Sequence, residues 1–154
     1  MKKIKYLFLI VGIIICCTGC NPKTGTMTCT MSSYPTEGIT LRSKYKAKYT
    51  NNVVNTLTTI EQVESSDEDN LETYKEKIEE VYQEYKDLDY YKNNISIKDN
   101  VLTSKTTINY DKVDTKKLIE IENGNSNVIK NGKVNIDDLK ELYEQNGCNC
   151  KKRK

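Results

Sequence analysis

Between residues 40 and 50, small or apolar side chains alternate with cations: Leu41, Ser43, Tyr45, Ala47 and Tyr49 against Arg42, Lys44, Lys46 and Lys48. A strict period of two puts the two sets on opposite faces of a strand, the first toward a core and the second toward water. Farther along the period changes. Leu71, Tyr74, Ile78, Val81, Tyr85 and Leu88 recur at spacings of three and four, which draws one apolar stripe along a helix. Such a helix must bury its stripe, and a strand with one core face supplies the layer that buries it. The two periods together demand a sheet covered on one side by a helix. Taken over residues 67–88, the helix is roughly 33 Å long at about 1.5 Å per residue. Ser66 can cap it, and Asp67, Glu68 and Asp69 stand at the positive end of its dipole.

The remaining elements are shorter. Residues 26–32 and 53–63 are β-prone and flank the alternating strand, with turns read at residues 34–38 and at Asn51-Asn52. A second hairpin is expected from residues 90–98 and 101–110 around Asp99-Asn100. A short helix is expected over 114–121, a loop-rich stretch over 123–132, and a closing helix over 135–145. That last helix turns Ile136, Leu139, Leu142 and Tyr143 inward and stops at Gly147. The order βββαββαα predicts an α+β fold: an antiparallel sheet, built from a three-stranded meander plus a hairpin, with a long amphipathic helix and a C-terminal helix packed on it.

At the N-terminus Lys2, Lys3 and Lys5 precede an apolar run of 12 residues, Tyr6 to Cys17, which ends in Thr18-Gly19-Cys20. Charged, apolar, then small is the order of a secretory signal, and the run is short of the about 20 residues that span a bilayer. The stretch Cys17-Thr18-Gly19-Cys20 resembles the lipobox of bacterial lipoproteins, with Cys17 standing where Leu, Val or Ile is usual. A lipid transferase needs a thiol at the membrane surface, which Cys20 offers, and a small preceding residue, which Gly19 offers. The expected organisation is a signal peptide over 1–19, a lipidated tether over 20–28, one domain over 29–150 and a basic tail over 151–154. Two acyl chains on Cys20 would hold the protein to membrane lipid where one would exchange.

Composition excludes several classes of chemistry. The chain has no histidine, so histidine metal sites and Ser-His-Asp or Cys-His arrangements are absent. Ser43 and Lys46 match a bare SxxK pattern, but that motif needs a helix, and the alternating strand sends the two to opposite faces. No cofactor-binding or metal motif is found. Without the three signal lysines, the 24 basic residues fall to 21, against 22 acidic ones, and this near neutrality gives nucleic acid no claim as a partner. The distribution is uneven: residues 61–89 are strongly acidic, while 40–50 and Lys151-Lys152-Arg153-Lys154 are basic. Eleven tyrosines and one phenylalanine leave polar rings to fill the core. Tyr90-Tyr91 is read either as core or as a stacking platform for a sugar or peptide.

With Cys20 taken by lipid, Cys29, Cys148 and Cys150 remain in an oxidising space, where three thiols make one bridge and leave one over. A bridge from Cys148 to Cys150 closes too small a ring to constrain much. A bridge from Cys29 to either would tie the first strand to the chain end, worth at most about 4–5 kcal/mol by loop-closure entropy. Cys148-x-Cys150 is also the one arrangement with reactive potential, although it follows a helix end, where the dipole raises a thiol pKa.

The lipobox, the strand start Thr28-Cys29-Thr30, the meander, the acidic tyrosine-bearing helix, the second hairpin and the ending Gly147-x-x-Cys150-Lys151 together resemble YehR-like uncharacterised lipoproteins of Gram-positive bacteria. A composition of 22 lysines and two arginines suits the AT-rich genome of such an organism. The resemblance implies an α+β domain lipid-anchored on the outer face of the cell membrane, and it implies Cys150, with Cys148 as the alternative, as the partner of Cys29. It carries no catalytic residues. The expected function is therefore a non-enzymatic binding or interaction module at the cell envelope, with an envelope protein or an anionic polymer as partner. The alternative is an envelope enzyme or thiol–disulfide redox assistant using Cys148 and Cys150.

Overall fold

The computed structural model describes residues 22–113 and 128–153. The segment read as a signal peptide, Cys20 and the helix expected over 114–121 lie outside them. Strands β1 (Thr24–Thr36), β2 (Ile39–Thr50) and β3 (Val53–Ser65) form the expected antiparallel meander. Helix α1 (Glu68–Tyr82) follows, then a 3-10 turn (Gln83–Tyr85) and the hairpin β4 (Tyr91–Lys98) and β5 (Val101–Asn109). The chain closes with the two-residue strands β6 (Ile129–Lys130) and β7 (Lys133–Val134), helix α2 (Ile136–Gln145) and β8 (Asn149–Arg153).

Meander and hairpin join into one six-stranded sheet in the order β4-β5-β3-β2-β1-β8, antiparallel at every pairing. The hairpin attaches through β5 to β3, so β5 fills the place between β3 and β4, and α1 makes the crossover between those two parallel strands. Asn51-Asn52 and Asp99-Asn100 turn their hairpins with positive φ at both residues, between 50° and 66°. Such two-residue turns match the twist of antiparallel strands.

Several expectations need correction. The tether expected over 20–28 overlaps β1, which begins at Thr24, and Met27 is fully buried there. The basic tail expected over 151–154 is no separate segment: Lys151, Lys152 and Arg153 belong to β8, which pairs with β1 in the register Cys29 to Cys150 and Thr26 to Arg153. The stretch read as loop around 123–132 contains β6, which pairs with β7 across Asn131-Gly132. The cap of α1 is Asp67, whose side chain accepts from the Asp69 N–H at 3.0 Å, and not Ser66. Finally, Val81 is 64% exposed, so it is no part of the buried stripe. At about 100° per residue it lies about 80° around the helix from Leu71, whereas Tyr82 returns to within about 20° of it and takes the inward place.

The core lies on one side of the sheet. Met27, Cys29, Ala47, Val54 and Leu57 meet Ile136 and Leu139 of α2, while Val63 and Leu102 meet Leu71 of α1, with Tyr74 and Ile78 packed around them. A third cluster, Leu88, Tyr90 and Tyr91, seals the end of α1. Helix α2 begins at its cap Asn135 and ends as expected at Gly147, where φ is 85°. There the Cys148 N–H donates to the Tyr143 carbonyl at 2.9 Å and the Gly147 N–H to the Glu144 carbonyl at 3.0 Å, the paired bonds of a Schellman stop.

Candidate functional site

Both helices cover the same face of the sheet, and among the described residues no element covers the other. Period two sends to that face the polar half of every strand: Thr26, Thr28 and Thr30 of β1, Lys44, Lys46 and Lys48 of β2, and Asn149, Lys151 and Arg153 of β8. The register aligns them in rows. Lys151, Thr28 and Lys46 stand side by side across β8, β1 and β2, with Arg153, Thr26 and Lys48 in the next row and Asn149, Thr30 and Lys44 in the third. Strands lie about 4.8 Å apart, so the cations form two rails about 10 Å from each other with a threonine floor between. Within a rail, neighbouring cations are about 7 Å apart. The cavity over this trough has a volume of about 1050 Å³ and extends to Gly25, Tyr49, Thr50 and Thr56.

The rail cations are exposed, and among the described residues none of Lys44, Lys46, Lys48, Lys151 or Arg153 is in an ion pair. The acid Glu64 on the same face is held by Arg42 at 2.6 Å. Farther along the face, Lys105 of β5 and Lys92 of β4 continue the positive sign. The acidic residues of α1 lie on the opposite side of the domain. The sheet thus presents a predominantly cationic trough of hydroxyls, amides and amines, with Glu64 of the same face paired to Arg42, suited to an extended anion.

Titratable groups on the covered face are shaped by burial. Glu61, beneath α1, accepts from the Tyr82 hydroxyl at 3.4 Å, and burial holds its carboxyl above the ordinary carboxylate range despite that bond. Burial likewise raises the Tyr82 and Tyr143 hydroxyls and pushes Tyr91 up to about 12. Tyr143 stacks on Tyr45 at 4.3 Å between ring centres.

Cys29 and Cys150 are joined in a disulfide across the β1–β8 ladder, the pairing the resemblance implies. Cys148 is a free thiol, buried in the core beside α2, and burial pushes it up from its ordinary range. Cys148 and Cys150 are therefore not an exchanging pair here. Tyr90 and Tyr91 are 7% and 6% exposed, which corrects the stacking-platform reading: their rings belong to the core. Ser43 and Lys46 stand on opposite faces, opposed to Glu61 and Thr58 respectively. Cys20 lies outside the described residues. The trough itself joins two features the sequence showed separately, the basic strand face and the basic tail. What was missed was β8, although Asn149, Lys151 and Arg153 alternate with Cys150 and Lys152. A lysine at the inward position hid the pattern: Lys152 pairs with Asp137 and lies 5.8 Å from the centre of the Tyr49 ring.

No family model matches the chain, and no curated protein matches it. Two solved structures resemble it. The NMR structure of Escherichia coli YehR superposes with a TM-score of 0.58 at 16% identity, covering 84% of this chain and 92% of that one. The NMR structure of a protein from Streptococcus pneumoniae TIGR4 superposes with a TM-score of 0.53 at 18% identity, covering 98% and 99%. At such identities the likeness is one of fold, and the chain has a YehR-like fold.

Proposed function

We propose that the protein is a membrane-anchored extracytoplasmic lipoprotein and works there as a non-enzymatic binding module of the cell envelope. The observation that carries the binding role is the cationic face, where, among the described residues, exposed cations without ion-pair partners flank a polar floor. Keeping like charges side by side on a folded domain is unfavourable, and a counter-charged partner relieves it. The lipobox around Cys20 supports the address, and the disulfide between Cys29 and Cys150 suits a compartment where disulfides persist. The redox alternative finds no support, because Cys150 is bonded to Cys29 and Cys148 is buried.

Fractionation of a Gram-positive host expressing the wild-type chain and Cys20→Ser tests the address. Wild type is expected with the membranes, its N-terminal peptide carrying a diacylglyceryl group, and Cys20→Ser either uncleaved or released. A Ser variant that is cleaved yet still sediments with membranes would mean that lipid is not the anchor.

A further inference from the structure

The binding role leaves the partner's chemistry open, and the geometry of the trough narrows it. Two rails of point charges about 10 Å apart, with hydroxyls between them, define a line along β1 and not a spot. A single small anion would meet one row and leave the others unused, whereas a linear polyanion laid along β1 meets each row in turn. Lysine predominates in the rails, and its ammonium is a compact charge with three donors that tolerates variation in the angle of approach. A phosphodiester has two non-bridging oxygens that point to opposite sides of its chain, one toward each rail, and the threonine hydroxyls beneath can donate to either. A carboxylate on a side branch presents both oxygens on one side and reaches one rail at a time.

Two other partners fit less well. A bilayer is planar, so it meets the rims of a concave face and leaves the floor unused. The large exposed apolar side chains among the described residues, Tyr34, Val81 and Ile97, lie outside the trough, so none is placed to anchor that face in lipid. Single-stranded nucleic acid is held by a series of aromatic rings on which successive bases stack, and among the residues lining the trough Tyr49 is the single ring, already engaged by Lys152 at 5.8 Å. Among the described residues, moreover, the hydroxyls of Thr26, Thr28 and Thr30 bond to no other protein group, so they can exchange solvent for a phosphate oxygen.

We infer that the trough along β1, between the rails of β2 and β8, binds a linear polyphosphodiester of the cell envelope, with phosphates bridged between Lys46 and Lys151 and between Lys48 and Arg153 over the threonine floor. The inference rests on the binding-module reading, but its test does not depend on lipidation. The full-length protein in non-ionic detergent is titrated with lipid-free poly(glycerol phosphate), with poly-glutamate, and with vesicles of equal parts phosphatidylglycerol and phosphatidylcholine. Saturable binding to poly(glycerol phosphate), weakening steeply as salt rises, is expected, with at least tenfold weaker binding to poly-glutamate. Lys46→Ser combined with Lys151→Ser is expected to weaken it tenfold or more. Lys77→Ser on α1, with an equal change per charge on the opposite side, should leave it unchanged. Thr28→Val keeps shape and charge and removes a floor hydroxyl, so a severalfold loss marks the trough in a way that general electrostatic attraction would not. The proposal is overturned if Lys77→Ser weakens binding as much, per charge removed, as the Lys46→Ser and Lys151→Ser double change, if Thr28→Val is without effect, or if the vesicles bind and the polymer does not. If the polymer binds as expected while the Cys20 fractionation fails, the address is wrong and the trough stands.

Discussion

Two residues on the covered side show how a single atom sets local stability. A Cβ at Gly25 would overlap the Tyr49 hydroxyl and approach the Arg153 carbonyl to 2.9 Å, so even alanine must displace the ring or the end of β8. Gly25→Ala is therefore expected to lower the unfolding free energy by about 1–3 kcal/mol, as overpacking does, read from a denaturant midpoint. An unchanged midpoint would mean that Tyr49 swings away freely. Glu61 has the opposite character, being present but poorly solvated. Its folded carboxyl titrates above the ordinary 4.5, chiefly through burial, so the folded state holds the proton more tightly than the unfolded one. For a raised acid, the stabilising contribution is present below the unfolded value and is lost as pH rises through the folded one. Wild type should thus lose stability relative to Glu61→Gln as pH climbs from about 4.5 toward neutrality. Parallel melting curves across that window would mean that Glu61 finds enough water to ionise at its ordinary pKa.

At the scale of elements, α1 separates what periodicity can say from what it cannot. Ile78 packs against the Leu71 cluster, while Val81 faces water. Ile78→Ala should cost about 1–2 kcal/mol for a partly buried side chain, and Val81→Ala should stay within about 0.5 kcal/mol. Equal losses in the two would put the helix in a different rotation. The spacing of three and four was legible, but six residues spread over the 18 positions from Leu71 to Leu88 drift around a real helix, and burial alone shows where the stripe leaves the core. The meander and the Asp99-Asn100 hairpin were legible because period two and asparagine turns are local signals. That β5 docks on β3 was not, since the pairing of Val63 with Leu102 is set by tertiary contact. Strand β8 was hidden for the same reason: its partner β1 lies at the other end of the chain, and four consecutive cations read as solvated unless something pairs with them. The two halves of the candidate site were therefore visible, and their adjacency was not.

Across the whole molecule, charge and covalent linkage point the same way. The sheet's open face is cationic and α1 on the far side is acidic, so the domain has an electrical orientation that near-zero net charge conceals. An anionic partner attracts one side and repels the other. One rail of the cationic face sits on β8, a strand of five residues paired on one edge only and so among the elements expected to open first. The bond from Cys29 to Cys150 fastens it, closing a loop across a sequence separation of 121. By loop-closure entropy that linkage contributes at most about 4–5 kcal/mol. Reduction should therefore do two separable things. It should lower global stability by up to that amount, which a denaturant titration with and without reductant measures. It should also raise the exchange of the β8 amides well before those of β3 and β5, because the covalent tie limits local opening at the edge of the sheet and the central ladder does not depend on it. If reduced β8 stays as protected as β3, the ladder with β1 and the ion pair of Lys152 with Asp137 hold the rail in place alone, and the disulfide acts only on the unfolded chain.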